Sequence, residues 1–203
     1  MTGSVHPIEV ESYRRLARRV DLSHFDDGPR AVIARVIHAT ADTEFAESLR
    51  VAPAAVAAGV ELITAGAPVV VDVEMVRAGI GGVKTVCFLP QARAEPPDGL
   101  TLSARATRLA AGEYPDGALF VVGCAPTALE ELLDLVEAGA VRPGLVVGVP
   151  VGFVGAAEAK DRLRRCEHVP SISNVGERGG SSVAAAIVNA LLRLSKQPGG
   201  QSL

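Results

Sequence analysis

ALFVVGCAPTALEELLDLVEAGAVRPGLVVGV, residues 118–149, is the stretch that decides the fold. It opens on a continuous apolar run over residues 118–122 and turns through Gly123-Cys124-Ala125-Pro126. It then places Leu129, Leu132, Leu133 and Val136 at helical spacing over residues 127–138. A second apolar run, residues 145–149, closes it. Short Val-rich runs without polar alternation, joined by an amphipathic helix, are how strands buried on both faces of a parallel sheet read. The stretch is a βαβ crossover.

The same pattern extends in both directions. Strands are predicted at residues 68–73, 85–89 and 168–173, and helices over 156–165 and 181–194, the last nearly all apolar and expected to be buried. Toward the N-terminus, Pro7, Pro29 and Pro53 each sit where a first helical turn begins. The first of these helices carries a stripe of Tyr13, Leu16, Ala17 and Val20, and the second turns Val32, Ile33, Val36 and Ile37 inward. Residues 91–99 are expected to be a loop. The predicted fold is α/β: a single domain over residues 1–203, with a doubly wound, mostly parallel sheet of about five strands and helices on both faces. Residues 1–7 and 196–203 are expected to be flexible tails.

Composition narrows the function. Of 203 residues, 48% are hydrophobic but only 3% aromatic, with 21 Gly and no Trp, so the core is built from small aliphatic side chains. A net charge of −3 provides no basic field and so few aromatics no stacking platform, which argues against nucleic acid as a partner. The longest apolar run, residues 145–157, is about 13 long and broken by Pro150, short of the ~18–20 needed to cross a bilayer. His6, Glu9 and Glu11 interrupt any signal-like apolar stretch, and a cytoplasmic location is expected. Cys87, Cys124 and Cys166 are too widely spaced for a disulfide framework or a CxxC ligand pair and read as reduced, buried thiols.

In an open parallel sheet ligands bind beyond the carboxyl ends of the strands, and here those ends carry the unusual segments: Asp72-Val73-Glu74-Met75, Gly123 to Thr127, Gly148 to Gly155, and Asn174 to Ser181. Gly148, Gly152 and Gly155 imitate a dinucleotide loop, but the spacing is not GxGxxG and no acidic residue follows the next strand to hold a ribose; tight-turn glycines explain them equally. Gly179-Gly180-Ser181, beside Arg178, offers a second nest of backbone donors. Asp72 and Glu74 read either as a paired acid site or as one helix cap and one solvated acid. Of the histidines, His6, His24 and His168 read as surface or turn residues. His38 ends an apolar helix face, as a structural residue at the edge of the core or as a proton donor near neutrality.

Taken together, Gly148-Val-Pro-Val-Gly-Phe-Val-Gly-Ala-Ala-Glu158 with Ala159-Lys160-Asp161 resembles the signature stretch of the precorrin-8X methylmutases, isomerases of cobalamin biosynthesis. Val36 to Thr40, Ala65 to Pro68, Asp72 to Val76, Ala125 to Leu129 and Gly179 to Ser181 match in register, so the resemblance spans residues 8–195. It implies a cofactor-free, metal-free isomerisation moving a methyl group from carbon eleven to carbon twelve of a tetrapyrrole to give hydrogenobyrinic acid or its cobalt equivalent. It places the catalytic histidine on His38 and a substrate-binding serine on Ser12, and it implies a homodimer with the site near the subunit boundary. Thr101, Arg105, Gly152, Gly155, Gly180 and Ser181 complete the candidate substrate-binding set.

Three positions depart from the family pattern. Thr101-Leu102-Ser103 stands where the family has Thr-Arg-Ser, with Arg105 one turn later as a substitute cation. Ile80-Gly81-Gly82 lacks a Thr, and Cys124 replaces an Asn. Losing one charged hydrogen bond costs ~1.5–3 kcal/mol, which bears on substrate affinity rather than on proton transfer. Leu102 and Gly81 therefore support a second reading, a divergent family member that binds a corrinoid without turnover.

Overall fold

The computed structural model describes residues 6–94 and 99–196. Three helices, α1 (Pro7–Ala17), α2 (Asp27–Thr40) and the short α3 (Phe45–Ser48), lead into strand β1 (Leu49–Val51) and helix α4 (Pro53–Thr64). The chain then alternates through β2 (Val69–Val71), α5 (Glu74–Gly79), β3 (Thr85–Cys87), α6 (Leu89–Ala94), α7 (Leu102–Glu113), β4 (Leu119–Val122), α8 (Pro126–Glu137), β5 (Leu145–Gly148), α9 (Ala156–Arg165), β6 (Ser171–Asn174) and α10 (Ser181–Ser195). The sheet order is β1-β6-β5-β4-β2-β3. Strands β2 to β6 are parallel, and β1 joins the outside of β6 antiparallel, with Leu49 opposite Asn174.

Each predicted strand exists, four of them shortened and the last shifted from residues 168–173 to Ser171–Asn174, and the reason for the unbroken apolar runs is visible in the core. Val69 and Val71, Leu119 and Val121, Leu145 and Val147 face one cluster with α2, α4, α5 and α10. Their neighbours Val70, Phe120, Val122 and Val146 face the other, with α7, α8 and α9. Both faces are dry, so the period of two separates two cores instead of core from water. Small residues let the layers close: a Cβ on Gly59 would lie 2.8 Å from Leu145 and Leu191, and one on Gly148 only 2.4 Å from Leu163.

Several expectations are corrected. The sixth strand, β1, is only Leu-Arg-Val, too short to show alternation, and it exists because the open edge of β6 accepts it. Residues 91–94, expected in a loop, form the end of α6, whose Ala92 is buried; the rest of that expected loop, residues 95–98, lies outside the described residues. Of the expected tails, His6 caps α1 by accepting the Ile8 amide on its ring, Pro7 opens that helix, and Lys196 caps α10; residues 1–5 and 197–203 lie outside the described residues. Ala17, placed on the inner stripe of α1, is exposed. Only Cys87 is a buried thiol; Cys124 is exposed and Cys166 half-buried. Among the described residues no helix is long and apolar enough to cross a membrane.

The connections leaving β2 and β4 run in opposite directions, β2 through α5 to the edge strand β3 and β4 through α8 to β5, so the switch point of the sheet lies between them. Asp72, 5% exposed, fills that point. Its carboxylate accepts the amides of Gly123 (3.1 Å), Cys124 (2.7 Å) and Ala125 (3.1 Å). Burial pushes the Asp72 carboxyl up from its ordinary value, against the pull of these three donors. The Asp72 carboxyl is thus an internal acceptor at the start of α8, and Glu74 is spent on an ion pair with Arg77. Asp72→Ala leaves buried amides without partners and is expected to lower stability by about 2–4 kcal/mol, with Asp72→Asn recovering part of the loss, read from urea midpoints.

Candidate functional site

His38 lies in the last turn of α2, half-buried. Its Nδ1 is 2.8 Å from Ser12 Oγ, and the Tyr13 ring stacks on the imidazole with centroids 4.9 Å apart and planes 14° from parallel. Ser12 and Tyr13 come from α1, whose residues Glu9, Ser12, Tyr13 and Leu16 share one face at intervals of three and four. A hydroxyl fixing one ring nitrogen and an aromatic face fixing the plane leave the imidazole a single orientation, which is what a positioned proton donor needs. Burial lowers the His38 pKa from 6.5, as do Arg35 and Arg193, while Glu9 opposes them. Burial thus favours the neutral imidazole when the site is empty of substrate charge.

The glycine segments form a rim next to this cluster. Asp42, just past the end of α2, pairs with Arg178 at 2.9 Å, linking the helix that carries His38 to the loop before α10. That loop lies on the segment after β5: Gly180 donates to Val149 at 2.8 Å and Gly152 to Glu177 at 3.1 Å. Gly179 makes the approach possible, since a Cβ there would be 2.3 Å from the Val149 carbonyl oxygen and its φ is +154°. Gly155, at φ 77°, caps α9 beside Pro126. Buried Ser181 opens α10 with its backbone against Gly123. Thr101 caps α7 through the Ala104 amide and its hydroxyl lies 2.7 Å from that of Thr127 on α8. Arg105 points its guanidinium at the Ala92 carbonyl of α6, 3.2 Å away. The structure brings Gly152, Gly155, Gly180, Ser181 and Thr101 to one end of the sheet and pairs Ser12 with His38.

Two residues of this region escaped the sequence reading. Lys160, 0% exposed, sits on the inner stripe of α9 with Ala156, Ala159 and Leu163. Its ammonium donates to Asn174 Oδ1 at 3.3 Å and to the Arg178 carbonyl, which Asn174 Nδ2 also bonds at 2.8 Å, so it holds the rim loop from beneath. A lysine at a core position of a helical stripe was the signal. Glu9 is the other, an acid on the inner stripe of α1. Gly148 fits the structural alternative of the glycine loop: its missing side chain makes room for Leu163 and Leu129. Among the described residues no His, Cys, Asp and Glu cluster forms a metal-binding group. His6, His24 and His168 are exposed, as read.

Fold and site together define a class: a doubly wound α/β enzyme with an oriented imidazole beside a glycine-lined rim. A family model described as precorrin-8X methylmutase matches residues 7–194, and the chain belongs to that family, isomerases of cobalamin biosynthesis. It is 39% identical over 178 residues to a cobalt-precorrin-8 methylmutase of Methanocaldococcus jannaschii, covering 86% of this chain and 84% of that one. It is 36% identical over 193 residues to a precorrin-8X methylmutase of Pseudomonas aeruginosa, covering 89% and 91%. A crystal structure of a precorrin-8X methylmutase from Thermus thermophilus superposes with a TM-score of 0.84 at 37% identity, covering 94% of this chain and 98% of that one.

Lys160 carries a pH signature. Burial and Arg164 lower its pKa from 10.5 to about 8. Between those values the folded chain holds fewer protons than the unfolded one, so Lys160 makes stability rise as pH climbs through this window. Urea midpoints across it are expected to rise in the parent protein and to rise less in Lys160→Met.

Proposed function

We propose that the protein converts precorrin-8X, or its cobalt-containing equivalent, to the corresponding hydrogenobyrinic acid by moving a methyl group from carbon eleven to carbon twelve, with His38 as the proton donor. The observation that carries this reading is the Ser12–His38–Tyr13 arrangement, 2.8 Å hydroxyl contact and stacked ring together. Protonating the conjugated macrocycle makes it electron-poor. The methyl group migrates with its bonding pair to the adjacent carbon, and the proton then returns to the base, so the composition of substrate and product is the same. The chain's own contribution is to orient the imidazole and hold the ring system.

Substrate charge completes the donor. The macrocycle bears many acetate and propionate arms, and carboxylates bound near His38 favour its imidazolium, offsetting burial, Arg35 and Arg193. The rim suits such a ligand: Gly155, Gly180 and Ser181 stand at helix N-termini and Gly152 in the loop before α9, with Thr101 and Arg105 on the α7 side. Exposed Val151 and Val175 offer aliphatic surface for the faces of the ring. Relatives named for the cobalt-containing and for the metal-free substrate match this chain at similar identity, and the ion would be chelated by the macrocycle rather than by side chains.

The test is anaerobic conversion of the substrate, followed by its spectrum. His38→Ala is expected to lose about a hundredfold or more in kcat, and Ser12→Ala about tenfold, the worth of one orienting hydrogen bond. The basic limb of kcat/KM, which reports the imidazole of the free enzyme, is expected below pH 6.5, and that of kcat at higher pH because bound carboxylates raise the group. Tight corrinoid binding with no turnover by the parent protein would instead establish the carrier reading that Leu102 supports.

The reading includes a homodimer with the site near the subunit boundary. Phe153 and Val154, 91% and 87% exposed beside the rim, support it as apolar surface that a second copy takes out of water. Sedimentation is expected to show a dimer, weakened in Phe153→Ser/Val154→Ser.

A further inference from the structure

The helix that carries Ser12 and Tyr13 is fastened in an unusual way. None of the residues of α1 is buried, and Ile8 and Val10 are 73% and 56% exposed. The apolar hold of α1 on the core is the partly buried Leu16, one turn beyond Ser12, a small burial for fixing a helix. Reaching inward on the same face, one turn before Ser12, is Glu9. A single oxygen of its carboxylate accepts from Arg35 of α2 at 3.2 Å and from Arg193 of α10 at 2.8 Å.

These three side chains are mostly out of water, with exposures of 20% for Glu9, 29% for Arg35 and 34% for Arg193. Partly buried charges interact more strongly than exposed ones and are costly to leave unpaired. The other terminal nitrogen of Arg193 is buried without a hydrogen-bond partner, so the carboxylate of Glu9 is the compensation that Arg193 has there. Glu9 is thus a joint of three helices, made next to the proton donor. The charges acting on the His38 ring are the same three: Arg35 from its own helix, Arg193 from α10, and Glu9 from α1 as the one anion. Beyond the end of α2, Asp42 and Glu44 are taken up by Arg178.

We propose that Glu9 is a positioning residue of the isomerisation: its carboxylate, shared by Arg35 and Arg193, holds the Ser12–Tyr13 face of α1 on His38 and balances the two arginine charges beside the imidazole. The inference rests on the reading of His38 as proton donor. Glu9 acts through that residue and does not touch the reacting atoms.

The two arginines and the acid have opposite effects on the ring, which separates this role from simple support of the fold. Purified Glu9→Gln, Glu9→Asp, Arg193→Met and His38→Ala are assayed anaerobically with precorrin-8X and cobalt-precorrin-8, each over a range of pH. Glu9→Gln is expected to lower kcat about tenfold with a smaller change in KM, as loss of one charge-assisted interaction would. It is also expected to move the basic limb of kcat/KM to lower pH, while Arg193→Met moves it to higher pH and Glu9→Asp returns it toward the parent position. A purely structural role would lower Tm and leave the limb in place. Limbs that stay put, or that move the same way in Glu9→Gln and Arg193→Met, overturn the inference. Should Glu9→Gln not fold, the limb of Arg193→Met decides alone, upward in support and unmoved against. Full activity in His38→Ala overturns the proton-donor reading itself, a result distinct from either outcome for Glu9.

Discussion

The carboxylate of Asp72 closes the one place where the sheet is open to a ligand by topology. Between β2 and β4 the connections part to opposite faces, and the amides of Gly123, Cys124 and Ala125 point into the gap. In many parallel-sheet proteins such amides hold a phosphate. Here the chain supplies its own carboxyl acceptor, and α8 starts from that contact. From α8 follow the Thr127 and Thr101 pair and the seat of Gly155 beside Pro126; from Gly123 follows the close approach of α10 at Ser181. With the switch point filled, the candidate chemistry moves to the layer outside the sheet, where α1, α2 and α10 meet.

Charge inside that layer does the organising. Glu9 and Lys160 both occupy positions on a helical stripe that apolar residues would fill in a plain amphipathic helix. Each has a cost of desolvation, and each offsets it by tying separate pieces of chain together: Glu9 joins α1 to α2 and α10, Lys160 joins α9 to the loop after β6. Glu131 does the same between α8 and α7 through Arg108. Apolar contacts, being non-directional, would hold these elements at about the right distance. Directional bonds to one oxygen or one ammonium hold them in one arrangement, and a 2.8 Å contact between Ser12 and His38 needs that.

How far the site was legible depended on the range of the signal. His38 was visible because an imidazole at the end of the Val32, Ile33, Val36, Ile37 stripe is a local feature. The glycines were visible as a cluster, but not their separate duties: Gly148 admits Leu163, Gly179 admits the Val149 carbonyl, and Gly152 and Gly155 take backbone angles that side chains resist. Ser12 came into view through family resemblance, since a serine among arginines on a polar helix has no local mark. Tyr13 was placed on the inner stripe but not on the histidine ring, 26 residues of sequence separating the Ser12 and His38 partners. The scarcity of aromatics left a core of small aliphatic side chains, and of the two tyrosines Tyr13 is spent on the histidine.

By itself the sequence determined the architecture: the five parallel strands, the helices between them and the end of the sheet where unusual residues gather. These follow from the periodicity of apolar residues and from Pro and Gly at element ends, which act over a few residues and are written in order along the chain. Tertiary structure alone decided that Asp72 accepts three amides at the start of α8, that β1 closes the edge of β6, and that one oxygen of Glu9 serves two arginines from helices far apart in sequence. Those outcomes depend on distances between elements and on which charges lose their water. Such quantities exist only once the layers have packed.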